Sequence, residues 1–427
     1  MGLLTSAYQQ IRGIKDFLQP ARFRDTVTLF KKTTLVSDLA VTGTASLSSA
    51  TLSGDLSVTG DVIASSALSQ RNMIINGSMA IAQRSADPQV TVSQDYSSCD
   101  RWFGYQNAGG AFVSLRHGMS VADIGTTGQP WAFRLICTTG VDPLPSAASQ
   151  VYVSQHIEAQ DLQHLRYGSA SAKTLVLSFW VQSSKTGTYC VCIRKPDTTA
   201  YYLPIEYSIS AANTWEYKTL LISPTAGSTS LITASGGAIT KDTGSGLEVM
   251  FWLGAGSNAH GANNTWNSSA DYTTSNQVNW LDTTSNTFYL TGVQLELGSN
   301  ATPFEHRTYG DELKQCQRYY VSYGVDEDGQ ADVVHPTRYT AALFDQNTIS
   351  SGRVFANVEV PTELRTGAPT FTARAAFNIS GSNLSNTNWG PIASVGNKRS
   401  IPMLKTTNTM TTNQQAVYLV FEVDDEI

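Results

Sequence analysis

Leu175-Val176-Leu177-Ser178-Phe179-Trp180-Val181 is followed, after the polar stretch Gln182 to Gly187, by Thr188-Tyr189-Cys190-Val191-Cys192-Ile193. Two short runs rich in aliphatic and aromatic side chains, parted by Ser, Lys, Thr and Gly, read as two strands joined by a turn. Working outward, similar runs stand at Val151 to Ile157, Tyr217 to Ile222, Leu247 to Leu253 and Thr287 to Leu297. Clusters of Gly, Asn, Asp and Ser separate them, and helical periodicity is almost missing between residues 70 and 308. Many short strands with turn signals between them predict an all-β sandwich. The polar excursion Gly254 to Gln277 (GAGSNAHGANNTWNSSADYTTSNQ) interrupts this pattern, and loops of that length are usually functional or disordered.

Of 427 residues, 94 are Ser or Thr while charged residues make up 15%, so the surface is rich in hydroxyls rather than charges. A hydrophobic content of 41% with 18 Tyr, 15 Phe and 8 Trp suffices to build packed cores and argues against a disordered chain. The formal net charge of −6 weighs against nucleic-acid binding, which needs clustered Lys and Arg. Cys99, Cys137, Cys190, Cys192 and Cys316 are odd in number and spread out, which predicts reduced thiols rather than a disulfide framework. Residues 1–20 carry no basic segment followed by an apolar one, and no apolar run approaches about 18 residues; neither a signal peptide nor membrane insertion is expected.

Before the strand-rich region, Leu4, Tyr8, Ile11, Ile14 and Leu18 fall on one face of a helix that Pro20 would end. With no domain of its own around it, this helix reads as a docking element for a partner. Arg12, Lys15, Arg22, Arg24, Lys31 and Lys32 make a basic neighbourhood there, which suits an acidic partner surface or a solvated face. Next, Thr34-Leu35-Val36-Ser37-Asp38-Leu39-Ala40-Val41-Thr42-Gly43 recurs 17 residues later as Thr51-Leu52-Ser53-Gly54-Asp55-Leu56-Ser57-Val58-Thr59-Gly60. Alternating apolar residues before a Gly suggest short strands and tight turns, and two copies need neighbours to cover their apolar face. Three chains wound together would supply those neighbours; a Ser/Thr/Gly linker is the alternative.

Beyond the main region, Gly310 to Tyr320 reads as a short polar helix with Asp311 placed to cap it. Strand-like runs then resume at Arg338 to Phe344, Arg353 to Val360, Thr370 to Asn378 and Gln415 to Val423, and predict a second β-sandwich. The acidic end Asp424-Asp425-Glu426-Ile427 reads as a solubilising tip.

No GxGxxG, P-loop, GxSxG, HExxH or EF-hand pattern is present, so no catalytic site, cofactor or metal site is expected. His117, His156, His164, His260, His306 and His335 are scattered, and His156 with Glu158 reads as a surface pair on one strand face. Asp326, Glu327 and Asp328 before Gly329 read as a turn. Aromatic residues on polar loops are the better lead, because a sugar ring stacks its C–H edges on Trp or Tyr while amides and hydroxyls meet its oxygens. Trp266, Tyr272 and Trp280 fit that description, and the candidate receptor site is Trp266 and Tyr272 with Asn263, Asn264 and Asn267. Aromatics that plug the ends of the sandwich are the competing reading.

Asn72-Met73-Ile74-Ile75-Asn76-Gly77-Ser78-Met79-Ala80-Ile81-Ala82-Gln83-Arg84, with Asp100-Arg101-Trp102, resembles bacteriophage tail-fibre and virion-fibre proteins. Ser178-Phe179-Trp180-Val181 through Gly187, Asn213-Thr214-Trp215 and Gly292-Val293-Gln294-Leu295-Glu296-Leu297-Gly298 extend the likeness. So do Ala301-Thr302-Pro303-Phe304-Glu305 and Cys316-Gln317-Arg318-Tyr319-Tyr320, with Val358 to Thr362 and Gly367 to Thr370 further on. The resemblance covers most of residues 34–375 and implies a carbohydrate-binding-like jelly roll, a homotrimer, a shaft built from the repeats, and no shared catalytic motif. Only two repeats here imply a short spike rather than a long fibre. The expected organisation is therefore a virion-attachment segment (1–32), a shaft (33–69), a jelly-roll β-sandwich (70–308), a connecting helix (309–320) and a distal C-terminal β-sandwich (321–427). The expected function is a virion-located fibre. It joins a tail, neck or capsid protein through Leu4, Tyr8, Ile11, Ile14 and Leu18 and adheres to a host surface polysaccharide. The alternatives are a structural virion component that binds no host and a polysaccharide-cleaving spike, which would need only two acids about 5–10 Å apart.

Overall fold

A computed structural model describes residues 70–84, 89–91, 94–96, 98–323, 342–343, 353–359, 364–365, 370–378, 383–384, 389–391, 400–406 and 416–426. The attachment helix, the repeat shaft and the 326–328 turn lie outside these residues.

The main body is built from β1 (Gln89–Thr91), β2 (Gln94–Tyr96), β3 (Phe103–Gln106), β4 (Ala111–Gly118), helix α1 (Val121–Thr127), β5 (Trp131–Thr139) and β6 (Gln150–Glu158). It continues with β7 (Leu175–Ser183), β8 (Gly187–Lys195), β9 (Tyr201–Ile209), β10 (Glu216–Ile222), β11 (Ser245–Ala255) and β12 (Thr287–Leu297). All pairings are antiparallel, and they form two six-stranded sheets. Sheet A runs β1-β4-β5-β12-β7-β10 and sheet B runs β2-β3-β6-β11-β8-β9. From β5 to β12 the chain changes sheet at every connection except the β8–β9 hairpin, giving the nested orders 5-12-7-10 and 6-11-8-9. That is the winding of a jelly roll, so an all-β sandwich is what the chain forms.

Alternation along the strands fills the space between the sheets. Val249, Phe251 and Leu253 of β11, Tyr189, Val191 and Ile193 of β8, Leu177, Phe179 and Val181 of β7, and Phe288 and Leu290 of β12 all belong to one buried core. Phe251 lies edge-on to Phe179, with ring centroids 5.0 Å apart. A register shift in the β12–β7 pairing falls between Thr291 and Gln294, and Gly292 there has φ +59° with a would-be Cβ only 3.2 Å from Trp180 Cδ1. Glycine meets both demands.

The segments carrying the fibre resemblance turn out to close this sandwich. Asn72 donates to Val293 O and accepts from Ile74 N and Leu295 N. Asn76 holds Ile81 and the carbonyl of Asp100, and its own carbonyl accepts from Trp102 Nε1 at 3.2 Å. Gln294 bonds Glu296 and receives Glu305 N, and both side chains are buried beneath these straps. These motifs serve the architecture.

Helix α2 (Tyr309–Gln317) is capped by Thr308, whose hydroxyl accepts from Asp311 N at 3.2 Å and donates to the Asp311 carboxylate at 2.6 Å. The cap is thus one helical turn earlier than the sequence suggested, and Asp311 is its reciprocal partner. After α2 come β13 (Tyr320–Tyr323), β14 (Ala342–Leu343), β15 (Arg353–Glu359), β16 (Thr370–Asn378), β17 (Asn383–Leu384), β18 (Trp389–Pro391), β19 (Ser400–Thr406) and β20 (Ala416–Asp424). They form two further antiparallel sheets, β13-β20-β16-β17 with β14 also on β20, and β15-β19-β18.

The acidic end is not a free tip. Glu426 pairs with Arg84 and Arg101, Asp424 with Arg84 at 3.1 Å, and Arg365 donates to the carbonyls of Asp425 and Glu426. Asp425 is 5% exposed. The reading of a solubilising tip is corrected: three consecutive acidic residues look solvated in a sequence, but the buried Arg101 and the half-buried Arg84 and Arg365 recruit all three.

Candidate functional site

The outer face of sheet B holds the residues that alternate with the core set. Register places them in three cross-strand rows. Tyr105, Tyr152, Trp252, Cys190 and Glu206 form the first; Phe103, Ser154, Met250, Cys192 and Pro204 the second; His156, Glu248, Arg194 and Tyr202 the third. The first row is a near-continuous aromatic band. Tyr105 stacks on Tyr152 at 5.1 Å and 23°, Tyr152 meets Trp252 at 4.9 Å, and Trp252 meets Tyr272 at 5.1 Å. Tyr272 comes from the polar excursion, and it touches Tyr202 edge-on at 4.9 Å. Directly opposed aromatic residues on one sheet face reinforce one another and hold a fixed surface.

The excursion itself folds down as a roof over β8, β9 and β11. Asn267 exchanges two backbone hydrogen bonds with Tyr202, both 3.0 Å, and Tyr272 N and Thr273 N both donate to Ala259 O. Thr274 Oγ1 and Asn276 Nδ2 donate to Glu206 Oε1, and Gln277 links Cys190 N to the carbonyl of Trp252. Under this roof Trp252, Cys190 and Cys192 are fully buried, whereas Tyr105, Tyr152 and Tyr272 stay partly open. All five cysteines are free and buried.

The third row is ionic. Glu248 accepts from Arg194 Nη1 at 3.0 Å, and His156 Nε2 lies 3.4 Å from its other oxygen. Burial, with the guanidiniums of Arg101 and Arg194 behind it, holds His156 below the ordinary imidazole range against the pull of Glu248. The expected His156–Glu158 pair is therefore replaced by His156–Glu248, because Glu158 is taken by Arg318 in a two-pronged contact of 2.7 and 2.8 Å. Burial works to raise the Glu158 carboxyl, but the Arg318 and Tyr319 hydrogen bonds outweigh it and leave the group below the usual glutamate range.

Three buried polar atoms on this face have no hydrogen-bond partner among the described residues: Trp252 Nε1, Ser154 Oγ and Arg194 Nε. The first and third are donors only. Buried donors without acceptors are costly, and Trp252 and Ser154 are enclosed by the roof and the neighbouring strands.

The candidates chosen from sequence are distributed unevenly over this site. Tyr272 is part of the aromatic band. Trp266 is 1% exposed, belongs to the sandwich core and donates through Nε1 to Ser223 O at 2.8 Å, so its ring is not offered to solvent. Trp280 is likewise buried, edge-on to Phe112 at 6.3 Å. Asn263 and Asn264 are exposed, with Asn263 Oδ1 accepting from Glu206 N at 3.0 Å, while Asn267 donates through Nδ2 to Tyr202 O at 3.1 Å. Tyr105, Tyr152, Trp252 and Arg194 were missed by sequence reading. Their signal was available in part: Met250-Phe251-Trp252 is apolar at both parities, which in an antiparallel strand means that the outer face is covered as well as the inner one.

The fold and this face define a jelly-roll sandwich with an aromatic, half-roofed outer sheet. No family model matches the chain, and no curated protein does. Among solved structures, the chain is similar to a Bacteroides thetaiotaomicron protein described as sugar binding, at 12% identity over 53% of this chain and 100% of that one, with a TM-score of 0.30. It is also similar to the enzymatically active domain of bacteriophage CBA120 tailspike protein 4, at 16% identity over 53% of this chain and 21% of that one, TM-score 0.23. A family 11 carbohydrate-binding module from Clostridium thermocellum gives 13% identity over 50% and 98% of the two chains, TM-score 0.24. Likeness this slight bears on neither ligand nor activity.

Proposed function

We propose that this chain is a phage fibre or short spike whose jelly roll binds a bacterial surface glycan along the outer face of sheet B, without cleaving it. The observation that supports this reading is the row of partly open rings Tyr105, Tyr152 and Tyr272 packed around the buried Trp252. The partly open rings of Tyr105, Tyr152 and Tyr272 give a sugar apolar surface to pack on, and the partly exposed guanidinium of Arg194 stands beside them. Homotrimer formation and attachment through Leu4, Tyr8, Ile11, Ile14 and Leu18 belong to the same reading. They are supported by the sequence resemblance and by a two-copy repeat that is too short to cover its own apolar face. Three weak sites on one particle-bound fibre would suffice for firm adhesion through avidity.

The test is binding of the full-length protein to purified host envelope polysaccharide, run alongside a reducing-sugar assay and light scattering. Saturable binding that Tyr152→Ala weakens about 5–30-fold, the equivalent of about 1–2 kcal/mol, is the expected result. Release of reducing ends would establish the cleaving reading instead, and absence of binding to polysaccharide or cells would leave a structural virion component. A monomer in light scattering would remove the trimer.

A further inference from the structure

Lys195 ends β8 on the core side of the strand, in line with Tyr189, Val191 and Ile193, and its side chain is fully buried. A buried ammonium is tolerated only when its donors are taken up. Here each of the three N–H groups has a backbone carbonyl: Nζ donates to Asp197 O at 2.5 Å, Thr199 O at 3.0 Å and Gly236 O at 3.0 Å. The ring of Tyr201 lies 5.3 Å from Nζ on the same side. Burial draws the amine down to about 8, against the pull of the Asp197 charge.

The carbonyls come from two separate segments, the β8–β9 turn and the single helical turn Ser235–Gly237. The Asp197 carboxylate is engaged elsewhere, accepting from Thr240 Oγ1 at 2.8 Å and from Thr240 N. The nearest oxygens around Nζ are therefore carbonyl dipoles, the ligand set with which proteins hold hard cations. Gly236 leaves no room for a side chain, since a Cβ there would sit 2.7 Å from the Tyr201 hydroxyl.

We propose that the three carbonyls form a cation site filled by the chain's own Lys195 ammonium, and that a chain lacking this group takes up a small alkylammonium ion in its place. The internal cation cross-links the β8–β9 turn to the 235–240 segment. The same turn joins the strands that carry the paired residues Arg194 and Tyr202, which stand on the opposite face of the sheet beside the aromatic band.

Lys195→Ala removes Cγ through Nζ and leaves a hole with the outline of n-propylammonium. Thermal unfolding of this variant in the full-length protein should show a lower midpoint. It should recover most of that loss with n-propylammonium chloride, and far less with n-propanol or sodium chloride at equal concentration; the unaltered protein should show no such recovery. Equal recovery with n-propanol, or a folded variant that no ammonium restores, overturns the proposal. Should Lys195→Ala fail to fold, nitrogen-15 spectra of the unaltered protein decide it. A lysine ammonium signal protected from proton exchange, and missing from Lys195→Met, is expected, and rapid exchange of every lysine ammonium refutes the assignment.

Discussion

On the outer face of sheet B, Trp252 is fully buried beneath the roof made by the polar excursion; on the outer face of sheet A, Tyr217 remains 45% exposed and Leu221 47%. The same alternation builds both faces. Sheet A presents Trp180 against Tyr217 at 5.2 Å, Tyr289 against Trp215 at 6.0 Å and against His117 at 5.5 Å, with Val121 and Ile124 of α1 exposed nearby. What separates the faces is coverage by distant chain. The polar excursion lies across β8, β9 and β11, whereas among the described residues the strap from Asn72 to Gly77 covers the Gln294–Glu296 end of sheet A. An aromatic residue on an outer face is therefore a packing residue or a platform according to what lies above it, and not according to its type.

Substitutions sharpen this contrast, and the largest effect belongs to the fully enclosed rings. Trp266→Ala and Trp252→Ala should each cost about 3–5 kcal/mol, read from denaturant unfolding of the full chain, since each removes a large buried side chain. A cost for Trp266→Ala below about 1 kcal/mol would show that the core does not depend on it and would return it to the candidate binding residues.

Next in size is the ion pair that joins β6 to the residue following α2. Glu158 is buried and Arg318 partly so, and Arg318→Met should cost about 3 kcal/mol by leaving a buried carboxylate without its partner. Because the folded-state carboxyl lies below the ordinary glutamate value, its contribution is present above about pH 4.5 and is lost as the pH falls through the folded-state value. Glu158→Gln should therefore flatten the acid limb of the stability profile. An unchanged limb would assign acid sensitivity to other carboxylates.

The smallest effects distinguish the two faces by function. Tyr217→Ala on the bare face should change stability by no more than about 0.5 kcal/mol, as a half-exposed edge-strand residue, and should leave polysaccharide binding unchanged. Tyr105→Ala should weaken binding about 5–30-fold while lowering stability by no more than about 1 kcal/mol. The reverse pattern would move the glycan to sheet A.

Several features are legible in the sequence itself. Val151 to Ile157, Leu175 to Val181, Thr188 to Ile193, Tyr217 to Ile222, Leu247 to Leu253 and Thr287 to Leu297 all fall within strands β6, β7, β8, β10, β11 and β12. Composition and alternation are local properties of the chain, and they carry strand and turn formation directly. The position of the 254–277 excursion was equally readable, but its packing was not. Nothing local distinguishes Trp266, inserted into the core, from Tyr272, laid on the outer sheet, because both sit among Asn, Ser and Thr.

Period, propensity and spacing along the chain suffice to show that residues 70–308 make many short strands and a sandwich rather than a helical core. Tertiary structure alone decided which aromatic rings face solvent, which acids meet arginines, and which carbonyls surround Lys195. Those outcomes depend on pairs such as Glu158 with Arg318, Arg101 with Glu426, and Tyr152 with Trp252. Their members are far apart in the chain and meet only once the jelly roll has wound, so burial and charge pairing are properties of the winding and not of either residue's neighbours in sequence.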